Sequence, residues 1–176
     1  MALDFDLHVY TGTTDQLIIN PEIGTSISNW NLTNNNIYDD SGSEYESEDS
    51  KLRIPNSGNN YSMERWIRGR FSGTGSSASN VKIYLSSGSL SDANLVLSGG
   101  ETSSFITPVN SVSSIATNVS DDWDVVGEAI DITPAGGITS FPAWTDFFVI
   151  QLKIPSTVAT LGNIGSLVLT VSYDET

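Results

Sequence analysis

The densest apolar run of the chain is Trp144-Thr145-Asp146-Phe147-Phe148-Val149-Ile150-Gln151-Leu152-Lys153-Ile154-Pro155. Side chains alternate between the two faces of a strand, so a period of two divides this run into two sets. One face is wholly apolar, and the other grades from apolar to polar: Phe148, Ile150, Leu152 and Ile154 against Phe147, Val149, Gln151 and Lys153. We expect a central strand whose first half is covered on both faces.

A second alternating run extends from Gly165 to Asp174. Its inward set is apolar and its outward set mostly polar: Leu167, Leu169, Val171 and Tyr173 against Val168, Thr170 and Ser172. This pattern is typical of a strand with one face on the core. We expect the two strands to pair antiparallel through the loop from Pro155 to Gly165.

The same period recurs along the chain, in Leu3–Val9, Tyr61–Phe71 and Val81–Leu85. In the second of these runs Arg65, Ile67, Gly69 and Phe71 point one way, and Trp66, Arg68 and Arg70 the other. Residues 101–143 predict short strands joined by long surface loops. No capped helical period appears, and no break in composition marks a linker.

The sequence therefore predicts an all-β fold. We expect a single antiparallel β-sandwich over residues 1–176, with long polar loops and little or no helix. Both the jelly-roll and the immunoglobulin-like topologies fit this pattern. Residues 1–20 would form an N-terminal strand, or an arm added to the sheet of a neighbouring copy.

The charge balance limits the classes of partner. The chain has 7 Lys and Arg against 21 Asp and Glu, a net charge of −14. An acidic surface repels nucleic acid, because phosphate binding requires clustered cations. No apolar run approaches the length that spans a bilayer, and no basic, apolar leader opens the chain. We expect a protein made in the cytoplasm, with neither nucleic acid nor membrane as its partner.

The sequence contains few side chains in patterns typical of catalytic sites. Histidine is the commonest base beside a nucleophile, and the only one is His8, which we expect as a surface or interface imidazole. Cysteine is absent. The acidic loop 39–49 and the run Asp121-Asp122-Trp123-Asp124 lack the spacing of a specific calcium loop, although calcium binding stays open for both. We predict a protein that is not an enzyme and that needs no cofactor.

The tryptophans suggest a second hypothesis, in which the protein binds carbohydrate. We expect Trp66 and Trp144, at the starts of strands, to pack in the core or at its rim. Trp123 lies among aspartates and is the best candidate for an exposed platform on which a sugar could stack.

The chain resembles a group of small, acidic, cysteine-free structural proteins of tailed bacteriophages. The resemblance starts at Tyr61 and is carried by Trp144–Leu152, Gly162–Gly165 and Tyr173–Glu175, together with Arg65–Phe71 and Asn80–Tyr84. It implies a virion component with a β-sandwich fold and no catalytic residues. A capsid decoration or cement protein on the outside of the head is the leading expectation. A component of the tail, baseplate or fibre, or a carbohydrate-binding adhesion module, is the alternative.

Six of the seven cations fall between residues 51 and 82. We expect five of them to contact an acidic patch on the major capsid protein or on a second copy: Lys51, Arg53, Arg65, Arg68 and Arg70. The alternative is a solvated surface with weak salt bridges to the acidic loop. By analogy with decoration proteins, the resemblance implies a homo-oligomer, with a trimer at three-fold positions as one form.

Overall fold

The computed structural model describes residues 3–10, 15–17, 54–62, 64–159 and 165–176. Within these ranges the chain is built almost entirely of antiparallel strands. Its only helical element there is a single 3₁₀ turn, Ser120–Asp122. No helix in the described residues is long and apolar enough to cross a membrane. The predicted all-β class is confirmed.

Eleven strands are present in the described residues. They are β1 Leu3–Tyr10, β2 Asp15–Leu17, β3 Asn59–Tyr61, β4 Arg65–Gly73, β5 Ala78–Leu90, β6 Val96–Thr102, β7 Asn118–Val119, β8 Ile130–Asp131, β9 Ala143–Trp144, β10 Phe147–Pro155 and β11 Gly165–Glu175.

The strands form two sheets. The larger, eight-stranded sheet has the order β2-β1-β4-β10-β6-β7, with β3 added to β10 and β9 added to β4. The smaller sheet has three strands in the order β11-β5-β8. Residues 3–10 form a strand that pairs with β2 and β4 of the chain's own sheet.

One apolar core fills the space between the sheets. The larger sheet contributes Ile67, Phe71 and the predicted inward set of β10, and the smaller sheet contributes Val81, Ile83, Leu85, Leu167 and Leu169. Burying apolar surface is the main favourable term in folding, and side chains of both sheets share it here. The predicted inward faces of β5, β10 and β11 are confirmed.

β10 is the central strand of the larger sheet, and its first half is buried on both faces, as the pattern predicts. The opposite face of β10 contributes Phe147 and Val149 to a second, smaller apolar cluster with Trp66 and Ala116. This cluster lies on the outer face of the eight-stranded sheet, and the loop of residues 103–117 covers it.

The predicted pairing of β10 with β11 is wrong. β10 pairs with β4, β6 and β3, whereas β11 pairs with β5 in the other sheet. The connection between the two strands thus crosses from one sheet to the other. Alternation gives the inward face of each strand but does not select its neighbour, so a crossing and a hairpin are equally compatible with the same pattern.

Candidate functional site

The outer face of the eight-stranded sheet carries two of the predicted interface residues. Because Ile67 and Phe71 of β4 point into the core, Arg68 and Arg70 must point to the opposite face. Both arginines are half-buried. The predicted division of β4 into two faces is confirmed at these four positions.

Arg68 lies in a box of aromatic rings. Its guanidinium carbon is 4.2 Å from the ring centre of Trp144, 5.0 Å from that of Phe147 and 5.1 Å from that of Tyr10. The guanidinium carbon of Arg70 is 5.9 Å from the Trp144 ring. A cation within about 6 Å of an aromatic face is attracted by the ring quadrupole. The rings therefore limit the conformations of Arg68 and place Arg70 beside it.

Strand register explains why these groups meet. β1 sets His8 opposite Arg68, and β9 sets Trp144 opposite Arg70. The short strand β9 thus brings Trp144 to the outer end of β4, at the rim of the sheet, in agreement with the prediction that this ring packs in the core or at its rim. We call Tyr10, Arg68, Arg70 and Trp144 the arginine–aromatic surface.

His8 is buried within the chain, with 9% of its surface exposed, so its prediction as a surface or interface imidazole is wrong. Its ring packs edge-on against Trp144, with 4.9 Å between the ring centres. His8 belongs to the set of alternating β1 side chains that we predicted to face water. In the structure this side chain faces the aromatic rings on the outer face of the sheet. His8 therefore supports the arginine–aromatic surface from beneath.

The loop of residues 103–117 is fastened to the same sheet face by a buried amide. Gln151 Oε1 accepts a hydrogen bond from the backbone N–H of Ser113 (3.1 Å), and Gln151 Nε2 donates to the carbonyls of Ser111 (2.8 Å) and Ser62 (2.9 Å). Buried backbone groups need such partners, because leaving one unsatisfied costs about 1–3 kcal/mol. Gln151 lies on the predicted outer set of β10, where it binds the covering loop.

A buried carboxylate holds the middle of this loop. Glu64 Oε2 accepts from the indole N–H of Trp66 and from the backbone N–H of Val109, both at 3.3 Å. The backbone N–H of Glu64 donates to the carbonyl of Val109 at 3.0 Å. Trp66 itself is buried in the outer cluster, as predicted. The loop that borders the arginine–aromatic surface therefore has fixed anchors.

This loop also presents apolar side chains to solvent. Phe105 packs against Tyr10, with ring centres 4.7 Å apart, so the next residue, Ile106, lies close to the arginine–aromatic surface. Ile106 is 47% exposed and Val112, farther along the loop, is 69% exposed. An exposed apolar side chain beside arginines and aromatic rings is typical of the centre of a protein interface.

One of the predicted interface cations, Arg65, does not belong to this surface. Arg65 has only 7% of its surface exposed, so its prediction as a surface contact is wrong. Arg65 lies on the same face of β4 as Ile67 and Phe71, which point into the core. It pairs with Ile150 of the central strand, where both faces of the sheet are covered. Lys51 and Arg53 lie outside the described residues, as does the acidic loop 39–49.

Trp123 is fully buried, so its prediction as an exposed glycan platform is wrong. Its ring packs on Phe148, with 5.3 Å between ring centres, and its indole N–H donates to the carbonyl of Asn118 at 3.2 Å. Gly99 leaves room for the ring, because a Cβ there would lie 3.0 Å from it. Asp121, Asp122 and Asp124 remain on the surface while the ring between them enters the core.

Carboxylates gather around the ends of β6 and β8 and the start of β10. Burial raises the pKa of Glu101 above its ordinary 4.5, and the nearby carboxylates of Asp146 and Asp131 raise it further. Burial also raises the pKa of Asp146 above its ordinary 3.8, with Asp131 as the second cause. In the described part of the chain, no group of three His, Asp or Glu side chains is arranged to hold a metal ion. The carboxylates of this cluster therefore repel one another.

A groove of about 590 Å³, lined by both polar and apolar side chains, lies beside the connection between β5 and β6. Among its lining residues are Ser86, Ser89, Asp92, Asp121 and Asp124. Asp92 accepts hydrogen bonds from the backbone N–H groups of Asn94 (2.8 Å) and Ala159 (3.1 Å), and these bonds lower its pKa from the ordinary 3.8. Asp92 thus joins two connections of the fold. The arginine–aromatic surface is the better candidate for binding, because its charge is opposite to that of the chain as a whole.

No protein-family model, curated protein or solved structure matches this chain.

Proposed function

We propose that this protein is a non-enzymatic structural component of a tailed-phage virion, which binds the outside of the head as a decoration or cement protein. The observation that carries the proposal is the arginine–aromatic surface on the outer face of the eight-stranded sheet. Arg68 and Arg70 stand together over the ring of Trp144, in a chain whose net charge is −14.

The chemistry of this surface favours a protein partner that carries carboxylates. Arginine and aromatic residues are enriched at interfaces and dominate their binding energy. A guanidinium such as that of Arg70, beside the ring of Trp144, can bind a carboxylate through two parallel hydrogen bonds. An acidic patch on the major capsid protein is the partner that we propose.

The residues around the arginine–aromatic surface favour a stable interface with a partner. The loop that carries Ile106 is anchored through Gln151 and Glu64, so little order has to be gained on binding. A stable interface buries about 1,200–2,000 Å² in total, and preformed surfaces lose less entropy when they form one. The remaining negative charge keeps free copies soluble before assembly.

The non-enzymatic part of the proposal is supported by the position of the one histidine. The ring of His8 packs against Trp144 inside the aromatic cluster. The carbohydrate-binding alternative loses its platform, because Trp123 points into the core. A component of the tail or baseplate would use the same arginine–aromatic surface and would differ in copy number.

Purified virions test the location. Quantitative mass spectrometry is expected to find the protein in a copy number comparable to that of the major capsid protein, because a symmetric shell repeats each contact. A few copies per particle would move the protein to the tail or baseplate, and its absence from virions would overturn the proposal.

Binding to heads that lack the protein tests the surface. Arg70→Glu is expected to weaken binding tenfold or more, because a carboxylate replaces an interface guanidinium. Lys82→Glu is the matched control, since it makes the same charge reversal on the outer face of the smaller sheet. Equal losses for the two variants would show a general charge effect and would remove this surface as the contact.

A further inference from the structure

We propose that β11 pairs antiparallel with β11 of a second copy of this chain, centred on Thr170. The two three-stranded sheets would then continue into each other across a two-fold axis. This contact lies on the smaller sheet and does not depend on the partner of the arginine–aromatic surface.

β11 is an edge strand of unusual length for an unpaired edge. It runs for 11 residues, Gly165–Glu175, and pairs with β5 along one side. Among the described residues, no strand pairs with its other side. An edge of this kind presents a row of backbone N–H and C=O groups that can accept another strand.

The sequence of β11 lacks the residues that commonly protect an edge strand. Proline, lysine and inward-pointing charges interrupt most exposed edges, and none occurs from Leu167 to Tyr173. Bulges also protect edges by twisting them. The two irregularities of this pair add their extra residue to β5, beside Val168/Leu169 and Ser172/Asp174, and thus not to the edge strand.

The strand is complementary to itself when it is reversed about Thr170. In that register Leu167 faces Tyr173 of the second copy and Leu169 faces Val171, so both pairs on the core side are apolar. On the outer side Val168 faces Ser172, and Thr170 faces Thr170. Cross-strand pairs of β-branched and aromatic residues stabilise a sheet, and threonine pairs do so as well.

Charge selects the same arrangement. The acidic end of β11, Asp174-Glu175, faces Ser166 and Gly165 of the second copy in the antiparallel register. In a parallel, in-register pair each of these carboxylates would face its own copy, which is unfavourable. A slip by one residue would turn the apolar face of one strand toward solvent. The antiparallel register centred on Thr170 avoids both penalties.

A charge-swap experiment on the full chain tests this register. Thr170→Lys and Thr170→Glu each place like charges roughly 5 Å apart across the axis, so each variant alone is expected to be monomeric. An equimolar mixture of the two is expected to dimerise, because the lysine then faces the glutamate. Sedimentation velocity over about 1–300 µM, the range of weak specific complexes, measures the mass of each sample beside the wild type.

Tyr84→Lys is the matched control. Tyr84 is the partner of Thr170 on β5 and shares its outer face, but it lies one strand away from the proposed axis. It is expected to dimerise as the wild type does. A wild type that is monomeric throughout the range, or an oligomer that both Thr170 variants leave unchanged, would overturn the proposal.

Hydrogen exchange on the wild type gives a second measurement, which decides the matter if a Thr170 variant fails to fold. Amides of β11 are expected to exchange more slowly as the protein concentration rises, because the second strand protects them. Exchange of β11 that is independent of concentration would overturn the proposal.

Discussion

The two faces of the eight-stranded sheet are buried by different means. On the inner face, apolar side chains of β10 meet those of a second sheet. On the outer face, a loop takes the place of the second sheet, and a loop brings backbone groups that have no ladder to pair with. Gln151 and Glu64 supply those partners. A cover made of loop thus requires buried polar side chains, whereas a cover made of sheet does not.

The largest expected effect on the free energy of unfolding comes from truncating one of two neighbouring phenylalanines of β10. The two side chains point to opposite faces of the sheet. Phe148→Ala on the inner face should lower the free energy of unfolding by about 3–5 kcal/mol, the usual cost of a large cavity in a core. Phe147→Ala should cost less, because its cluster is smaller and its cover is a loop that can settle into the space. Urea unfolding measures both, and an equal loss would mean that the two faces are packed alike.

A smaller effect is expected at the contact between the loop and β6. A Cβ on Gly100 would lie 1.9 Å from the carbonyl oxygen of Ile115, so Gly100→Ala must displace the loop. We expect a loss of about 1–3 kcal/mol, the usual cost of overpacking. Gly127→Ala is the control, because a Cβ at Gly127 meets nothing within 4 Å. Thermal unfolding compares the two, and similar stability would show that the loop is not held against the strand.

Gln151→Leu tests the polar attachment of the loop. The substitution keeps the volume but leaves the carbonyls of Ser62 and Ser111 without their donor, so we expect a loss of about 1–3 kcal/mol. Hydrogen exchange should accelerate in residues 109–116 and stay unchanged in the inner core. Lys153→Leu, on the same face of β10, is the control, and an equal acceleration there would argue against a specific role of the amide.

The smallest effect is expected in the acidic cluster, where pH provides the test. Because burial and the neighbouring carboxylates raise the pKa of folded Glu101, the folded state binds the proton more readily than the unfolded state does. The contribution of Glu101 to stability therefore increases as the pH falls through its folded pKa, and the gain is complete below the ordinary 4.5.

Glu101→Gln should accordingly stabilise the protein at pH 7, by no more than about 0.5 kcal/mol at this exposed position, and the advantage should vanish in acid. Asp124→Asn removes the same charge from an exposed site outside the cluster and serves as the control. Thermal unfolding between pH 7 and about pH 4, near the ordinary carboxyl values, measures both. A constant difference across that range would contradict the assignment.

The sequence predicts only part of the candidate site. The alternation in β4 predicts that Arg68 and Arg70 share a face. It cannot predict the aromatic box, because Tyr10, Trp144 and Phe147 come from three other strands that meet only in the folded sheet. Trp123 misled for a related reason: its aspartate neighbours indicate exposure, while the space for its ring is made by Gly99 on a distant strand.

What the sequence alone determined is the direction of each side chain along its own strand, because a period of two is a property of the local backbone. The all-β class and the inward faces of β5, β10 and β11 follow from that local rule. Only the tertiary structure decided which strands are neighbours, that β10 and β11 belong to different sheets, and that Trp123 is buried. These outcomes depend on contacts between residues far apart in the chain, whose free energies no local pattern records.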